Sequence, residues 1–103
     1  MKILMTSVAD KKAAKMLGKK LIKNGLAACV SSVKAGSLYV WDDKICDEKE
    51  RILLIKTDAK FKKIAKFIKA NHGYDLPEIL SFKPKDIYKK YKIWVKNQTK
   101  GKK

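Results

Sequence analysis

Between Leu26 and Lys56 the chain is β-compatible almost without a break, and one polar turn, Asp42-Asp43-Lys44, interrupts it. Fully extended, such a stretch would reach roughly 100 Å, far beyond a small domain, so it has to fold back as a long hairpin. Its second arm, Arg51 to Lys56, holds the apolar run Ile52-Leu53-Leu54-Ile55, the pattern of a buried strand. Its first arm reads as Leu26 to Val33, resumed at Ser37 to Trp41. There Ser37, Tyr39 and Trp41 alternate, which puts both aromatics on one strand face.

The flanking segments change period. Lys2 to Ser7 reads as a buried strand. Asp10 is placed to cap a helix carrying Ala14, Leu17 and Leu21 at helical spacing, and Asn24-Gly25 to end it. Asp58 is expected to cap a second helix with Phe61, Ile64, Ala65 and Ile68 on its apolar face, closing at Asn71-His72-Gly73. Pro77 to Phe82 reads as a fourth strand, with proline where a ladder donor is least missed. Asp86 is expected to cap a third helix presenting Ile87, Tyr91, Trp94 and Val95, and the tail, residues 99–103, to fray. The order βαββαβ plus a C-terminal helix makes an α+β, ferredoxin-like sandwich, read as a single domain over 1–103. One sheet face stays open unless the last helix or another subunit covers it. A domain this small gains core by oligomerising.

The formal net charge is +16, and Arg51 is the only arginine among 26 basic residues. Base-edge readout and bidentate phosphate recognition lean on arginine. The lysines are therefore read first as solvated faces and second as a surface for a polyanion, with no nucleic-acid partner expected beyond non-specific charge attraction. No run approaches the roughly 20 apolar residues of a membrane span, and the N-terminus lacks a signal-peptide pattern, so a cytoplasmic address and no membrane partner are expected. Cys29 and Cys46 form no metal or disulfide motif, and Cys29 reads as a small core residue. Glycine-rich phosphate loops, HExxH and Ser-His-Asp spacing are all absent, which argues against an enzyme.

His72, the one histidine, sits just past a helix end. It is suited either to metal ligation and proton transfer or to a plain terminal hydrogen bond. Tyr39 and Trp41 suit a ligand cleft or an inter-subunit core, and Trp94 shares that ambiguity. Glu48, Glu50 and Glu78 suit a cation or simple pairing with lysines.

Several of these segments together resemble one family. Ser37-Leu-Tyr39-Val-Trp41-Asp-Asp-Lys44-Ile45, then Glu50 and Leu54-Ile55-Lys56-Thr57, is similar to its Ser-x-Tyr-x-Trp-x-Gly-Lys-Ile, Glu and Ile-Lys-Thr signature. His72-Gly-Tyr74-Asp-Leu-Pro77-Glu78-Ile79 is similar to its His-Pro-Tyr-x-x-Pro-Glu-Ile motif, and Leu26-Ala-Ala-Cys29-Val and Tyr91-x-x-Trp94 match further segments. On these residues the chain is identified as a member of the CutA divalent-cation (copper) tolerance family, over about residues 3 to 98. The resemblance implies a homotrimer similar to PII signalling proteins. Its inter-subunit clefts would hold Tyr39, Trp41, Lys44, Glu50, Lys56, Tyr74 and Trp94 around a ligand, with His72 and Glu78 as ligands to a divalent cation such as copper. Non-enzymatic cation binding is the function implied; a PII-like small-ligand sensor or scaffold acting through partner proteins is the alternative. Three positions depart from the pattern: Asp43 for the turn glycine, Gly73 for the proline after His72, and Thr6 where some members bear a cysteine linked to copper. A hydroxyl is a poor ligand for a soft metal.

Overall fold

The computed structural model describes residues 1–99. The elements run β1 (Lys2–Val8), α1 (Lys11–Lys23), β2 (Cys29–Trp41), β3 (Lys44–Thr57), α2 (Phe61–Asn71), β4 (Leu80–Phe82) and α3 (Lys89–Gln98). The four strands form one antiparallel sheet in the order β2-β3-β1-β4. This is the ferredoxin-like α+β arrangement that the element order implies.

Register decides which residues face the helices. Leu4 lies opposite Ile55, and Thr6 opposite Leu53. These side chains are fully buried and pack with Leu17 and Leu21 of α1 and Ile64 and Ile68 of α2. The alternate set, Ile3, Met5, Ile52 and Leu54, points to the opposite face and is only half-buried. Each fully buried aliphatic side chain contributes about 1.5–3 kcal/mol, so α1 and α2 are held chiefly by this shared layer.

Local chemistry sets the ends of α1. The Asp10 carboxylate accepts the Ala13 N–H at 2.8 Å. At the other end Gly25 takes φ 67°, and the Gly25 and Leu26 amides donate back to Ile22 and Leu21. That is a Schellman cap, which only a residue free of a Cβ penalty closes cheaply.

The other two caps differ from expectation. α2 starts after Lys60 without a side-chain cap. Asp58 instead pairs with the N-terminal ammonium of Met1 at 3.1 Å, while Thr57 Oγ1 accepts the Ala59 N–H. α3 begins at Lys89 behind Tyr88, so Asp86 caps nothing. Of its expected apolar face only Val95 is buried; Tyr91 and Trp94 are exposed. Thr99 does not fray: its hydroxyl donates to Val95 O at 2.8 Å and accepts the Asp58 N–H. The remainder of the expected frayed tail lies outside the described residues.

Two strand boundaries also move. β4 covers only Leu80–Phe82, because the segment around Pro77 leaves the ladder. β2 runs unbroken through Gly36, so both segments of the first hairpin arm are one strand of 13 residues. β3 has 14 residues and β1 only 7. The hairpin therefore projects beyond the sheet as a two-stranded arm past Arg51, where β1 pairing stops.

Candidate ligand site

The Asp42-Asp43 turn fixes everything on this arm. Both residues hold positive φ, 52° and 59°, as a tight two-residue hairpin turn requires. Aspartate tolerates that region without glycine's ease. The turn sets Trp41 opposite Lys44, Tyr39 opposite Cys46, Ser37 opposite Glu48 and Ala35 opposite Glu50. One face of the arm thus carries two aromatics, a thiol and two carboxylates.

The loop after α2 closes on that face. Tyr39, Trp41, Cys46 and Glu48 from the arm, with Tyr74, Asp75 and Leu76 from the loop, line a cleft of about 440 Å³. The Tyr74 hydroxyl donates to Glu50 Oε2 at 2.6 Å. Burial, reinforced by that bond, pushes the Tyr74 phenol well above its ordinary range. Tyr39 is pushed up to about 12, first by its hydrogen bond to Glu48 and then by partial desolvation and the carboxylate's charge. Both phenols are held neutral beside carboxylates, Tyr74 as a hydrogen-bond donor to Glu50, an arrangement that orients the carboxylate oxygens.

His72 is placed differently. Its Nε2 lies 2.8 Å from Ser7 O and 3.2 Å from Thr6 Oγ1, while its Nδ1 accepts the Tyr74 N–H at 3.0 Å. An acceptor Nδ1 makes the ring a neutral tautomer with its proton on Nε2, and both nitrogens then have partners within the chain. Glu78 reaches the same end of β1, where Ser7 Oγ donates to its Oε1 at 3.5 Å. His72 and Glu78 thus flank one strand end. Metal binding at His72 requires one of its internal bonds to open.

The remaining expected residues are far away. Lys56 stands at the opposite end of β3, donating to Ser31 Oγ at 2.6 Å and approaching Cys29 Sγ at 3.9 Å. Cys29 therefore lies half-buried on the open sheet face beside a lysine and is not a core residue. Tyr91 of α3 lies near Cys29, its phenol raised by burial and then by that thiol, and it packs on Trp94 with ring centroids 5.7 Å apart. From Lys44 to Lys56 along β3 is roughly 40 Å. A single copy cannot bring its Tyr39–Trp41 tip and its Lys56–Trp94 base into one site. Among the described residues no group of three or more His, Cys, Asp or Glu side chains stands together to hold a metal.

Cys46, Asp75 and Leu76 were missed as cleft residues by sequence reasoning. Reading Asp42-Asp43-Lys44 as the turn sets Asp47 opposite Tyr39; Lys44 belongs to β3 instead, and the two-residue turn brings Cys46 there. Nothing local marks Asp75 or Leu76, because the loop's docking on the arm is a tertiary contact.

Fold and cleft together define a class: a ferredoxin-like domain with a projecting hairpin arm and an aromatic–carboxylate cleft on its open face. The sequence matches the family described as CutA1 divalent ion tolerance protein over residues 2–98. The chain belongs to that family. The rice protein "Protein CutA 1, chloroplastic" is 36% identical over 100 residues, which span 95% of this chain and 56% of the rice protein. The chain thus spans little more than half the length of that relative. The divalent-cation tolerance protein CutA of Thermus thermophilus is 30% identical, covering 94% of this chain and 96% of its own.

Solved structures agree in fold. CutA1 from Pyrococcus horikoshii superposes with a TM-score of 0.93 at 30% identity, over 97% of this chain and 99% of that one. A protein described as the PII-like protein CutA from Nostoc sp. PCC 7120, in apo form, gives 0.89 at 25% identity, over 96% and 97%. No helix among the described residues is long and apolar enough to cross a membrane.

Proposed function

We propose that this chain is a non-enzymatic, homotrimeric divalent-cation-binding protein acting in ion tolerance. Its cation is held by His72 and Glu78 beside the end of β1, where the arm leaves the sheet and a neighbouring copy can complete the ligand set. The observation that carries the reading is the spread of the expected site residues along β3. Tyr39, Trp41 and Lys44 lie at the tip of the arm, Glu50, Tyr74, His72 and Glu78 near its root, and Lys56 with Trp94 at the far end. The extremes, Lys44 and Lys56, stand roughly 40 Å apart, and only different copies can unite them. The arm supports it too. Leu38, Val40 and Ile45 are 73%, 70% and 81% exposed on the face opposite Tyr39 and Trp41. Apolar side chains on both faces of a projecting ribbon mark an association surface.

The donors along the arm and its docked loop are the Cys46 thiol and the Glu48, Glu50 and Asp75 carboxylates, no three of which stand together within one copy. Near β1 they are Glu78 and, once Tyr74 N–H releases Nδ1, His72. A mixed nitrogen, sulfur and oxygen set suits Cu(II) or Zn(II) better than Mg(II). Buried Thr6 cannot stand in for a thiolate, so copper is not favoured by a soft ligand at that position. A cytoplasmic address goes with this reading, although relatives in rice and Arabidopsis thaliana are named chloroplastic.

Titration calorimetry of Cu(II), Zn(II) and Mg(II) into wild type, His72→Ala and Glu78→Gln tests the proposal. Saturable binding of Cu(II) or Zn(II), weakened about tenfold or more in either variant, is expected. Equal affinities in all three proteins would remove His72 and Glu78 from the site, and no binding of any cation would end the reading.

A second reading, a PII-like sensor of small organic ligands, rests on the cleft itself. Its volume of about 440 Å³ and its aromatic walls lie within the range of small-molecule sites. A thermal-shift screen of nucleotides and organic anions separates it from the first, since stabilisation without added metal is expected only here.

A further inference from the structure

The charge of the helical layer has no use in the site described above. α1 carries six lysines and α2 four, all exposed, and neither helix contains an acidic residue. The two helices lie on the same sheet face, sharing one core and joined by Lys20 Nζ to Asn71 Oδ1 at 3.4 Å. Five of the ten acidic residues are instead gathered on the hairpin between Asp42 and Glu50. The helical layer therefore carries ten of the 26 basic residues and no carboxylate of its own, although the hairpin holds cations as well.

This arrangement is costly for the helices. Lys11, Lys15, Lys19 and Lys23 follow one another at i,i+4, as do Lys62 and Lys66, and each like-charged pair destabilises a helix by a few tenths of a kcal/mol. If the lysines served stability through ion-pair networks, they would have carboxylate partners. Among the described residues the one ion pair is between the N-terminal ammonium and Asp58, and it involves no lysine.

We propose that the α1–α2 layer is a docking surface for the phosphate backbone of nucleic acid, bound without base readout. Three features select this partner. Lysine is a point charge suited to phosphate contact, and Arg51 is the only arginine. A groove of about 310 Å³ runs between α1 and the sheet, rimmed by Lys11, Lys15, Lys19 and Arg51. An anionic membrane is disfavoured because interfacial helices need an apolar face to insert. Here Leu17, Leu21, Ile64 and Ile68 are already buried in the core, and the exposed apolar residues of the two helices, Met16, Ile22 and Phe61, lie among lysines and form no continuous face. The proposal does not depend on the trimer or on the cation.

The test is fluorescence anisotropy of the full chain with two labelled DNA duplexes of unrelated sequence, over a salt series. Contact with about four phosphates predicts equal affinity for both duplexes and a loss of about a hundredfold between about 50 and 200 mM salt. The double variant Lys15→Glu with Lys66→Glu removes two cations and places carboxylates three or four residues from Lys11, Lys12, Lys19, Lys62, Lys63 and Lys69. Its melting temperature should therefore hold or rise while its affinity falls at least tenfold and its salt slope becomes shallower by about 2. Absence of binding near 50 mM salt, or unchanged binding by the folded double variant, overturns the proposal. So does cosedimentation with phosphatidylserine–phosphatidylcholine vesicles at a salt concentration where the duplexes no longer bind, because the layer would then be a membrane surface.

Discussion

At the scale of single residues, the Tyr39–Glu48 pair is the sharpest chemical feature of the cleft. The Glu48 carboxylate stands beside the neutral phenol, so removing the phenol's proton sets two negative charges against each other, and ionisation is deferred from 10.0 to about 12. A folded-state value above the unfolded one means that this group's contribution to stability is whole below pH 10 and is lost as pH rises through about 12. Glu48→Gln removes the charge and weakens the acceptor. An ultraviolet titration of phenolate formation should show Tyr39 moving back toward 10.0. Its remaining near 12 would mean that Glu48 is not the cause. This pairing was half legible in the sequence: alternation put Tyr39 and Trp41 on one face, but reading Lys44 into the turn left the register one residue off. The state of His72 was not legible. It depends on Ser7 O, 65 residues away in the chain, and no spacing rule encodes that contact.

At the scale of elements, the helices and strands were readable where periodicity was strong and less so at their ends. Asp10 and Asp58 look alike in the sequence, each just before an apolar helical pattern. Only Asp10 accepts a bond from its helix; Asp58 turns to the Met1 ammonium at the N-terminus, a partner distant in the sequence. Chemical denaturation should separate them. Asp10→Ala is expected to cost about 1 kcal/mol, and Asp58→Ala less, as its ion pair is half-exposed to water. Equal losses would mean that the cap geometry does not govern α1. β4 was overextended in the sequence reading because Pro77-Glu78-Ile79 is β-compatible by composition, yet Glu78 is drawn to Ser7 and the chain joins β1 only from Leu80.

At the scale of the whole molecule, the sheet order followed from the order of elements, whereas the site did not. A list of motif residues implies one cluster; the register spreads them between the tip and the base of a long hairpin. That spread, with Leu38, Val40 and Ile45 left in water on the arm, makes assembly the central claim. Sedimentation equilibrium on the metal-free protein tests it most directly. A homotrimer sediments as a single species of three times the 11.7 kDa chain mass, whereas a species of 11.7 kDa at micromolar concentration would rule the trimer out.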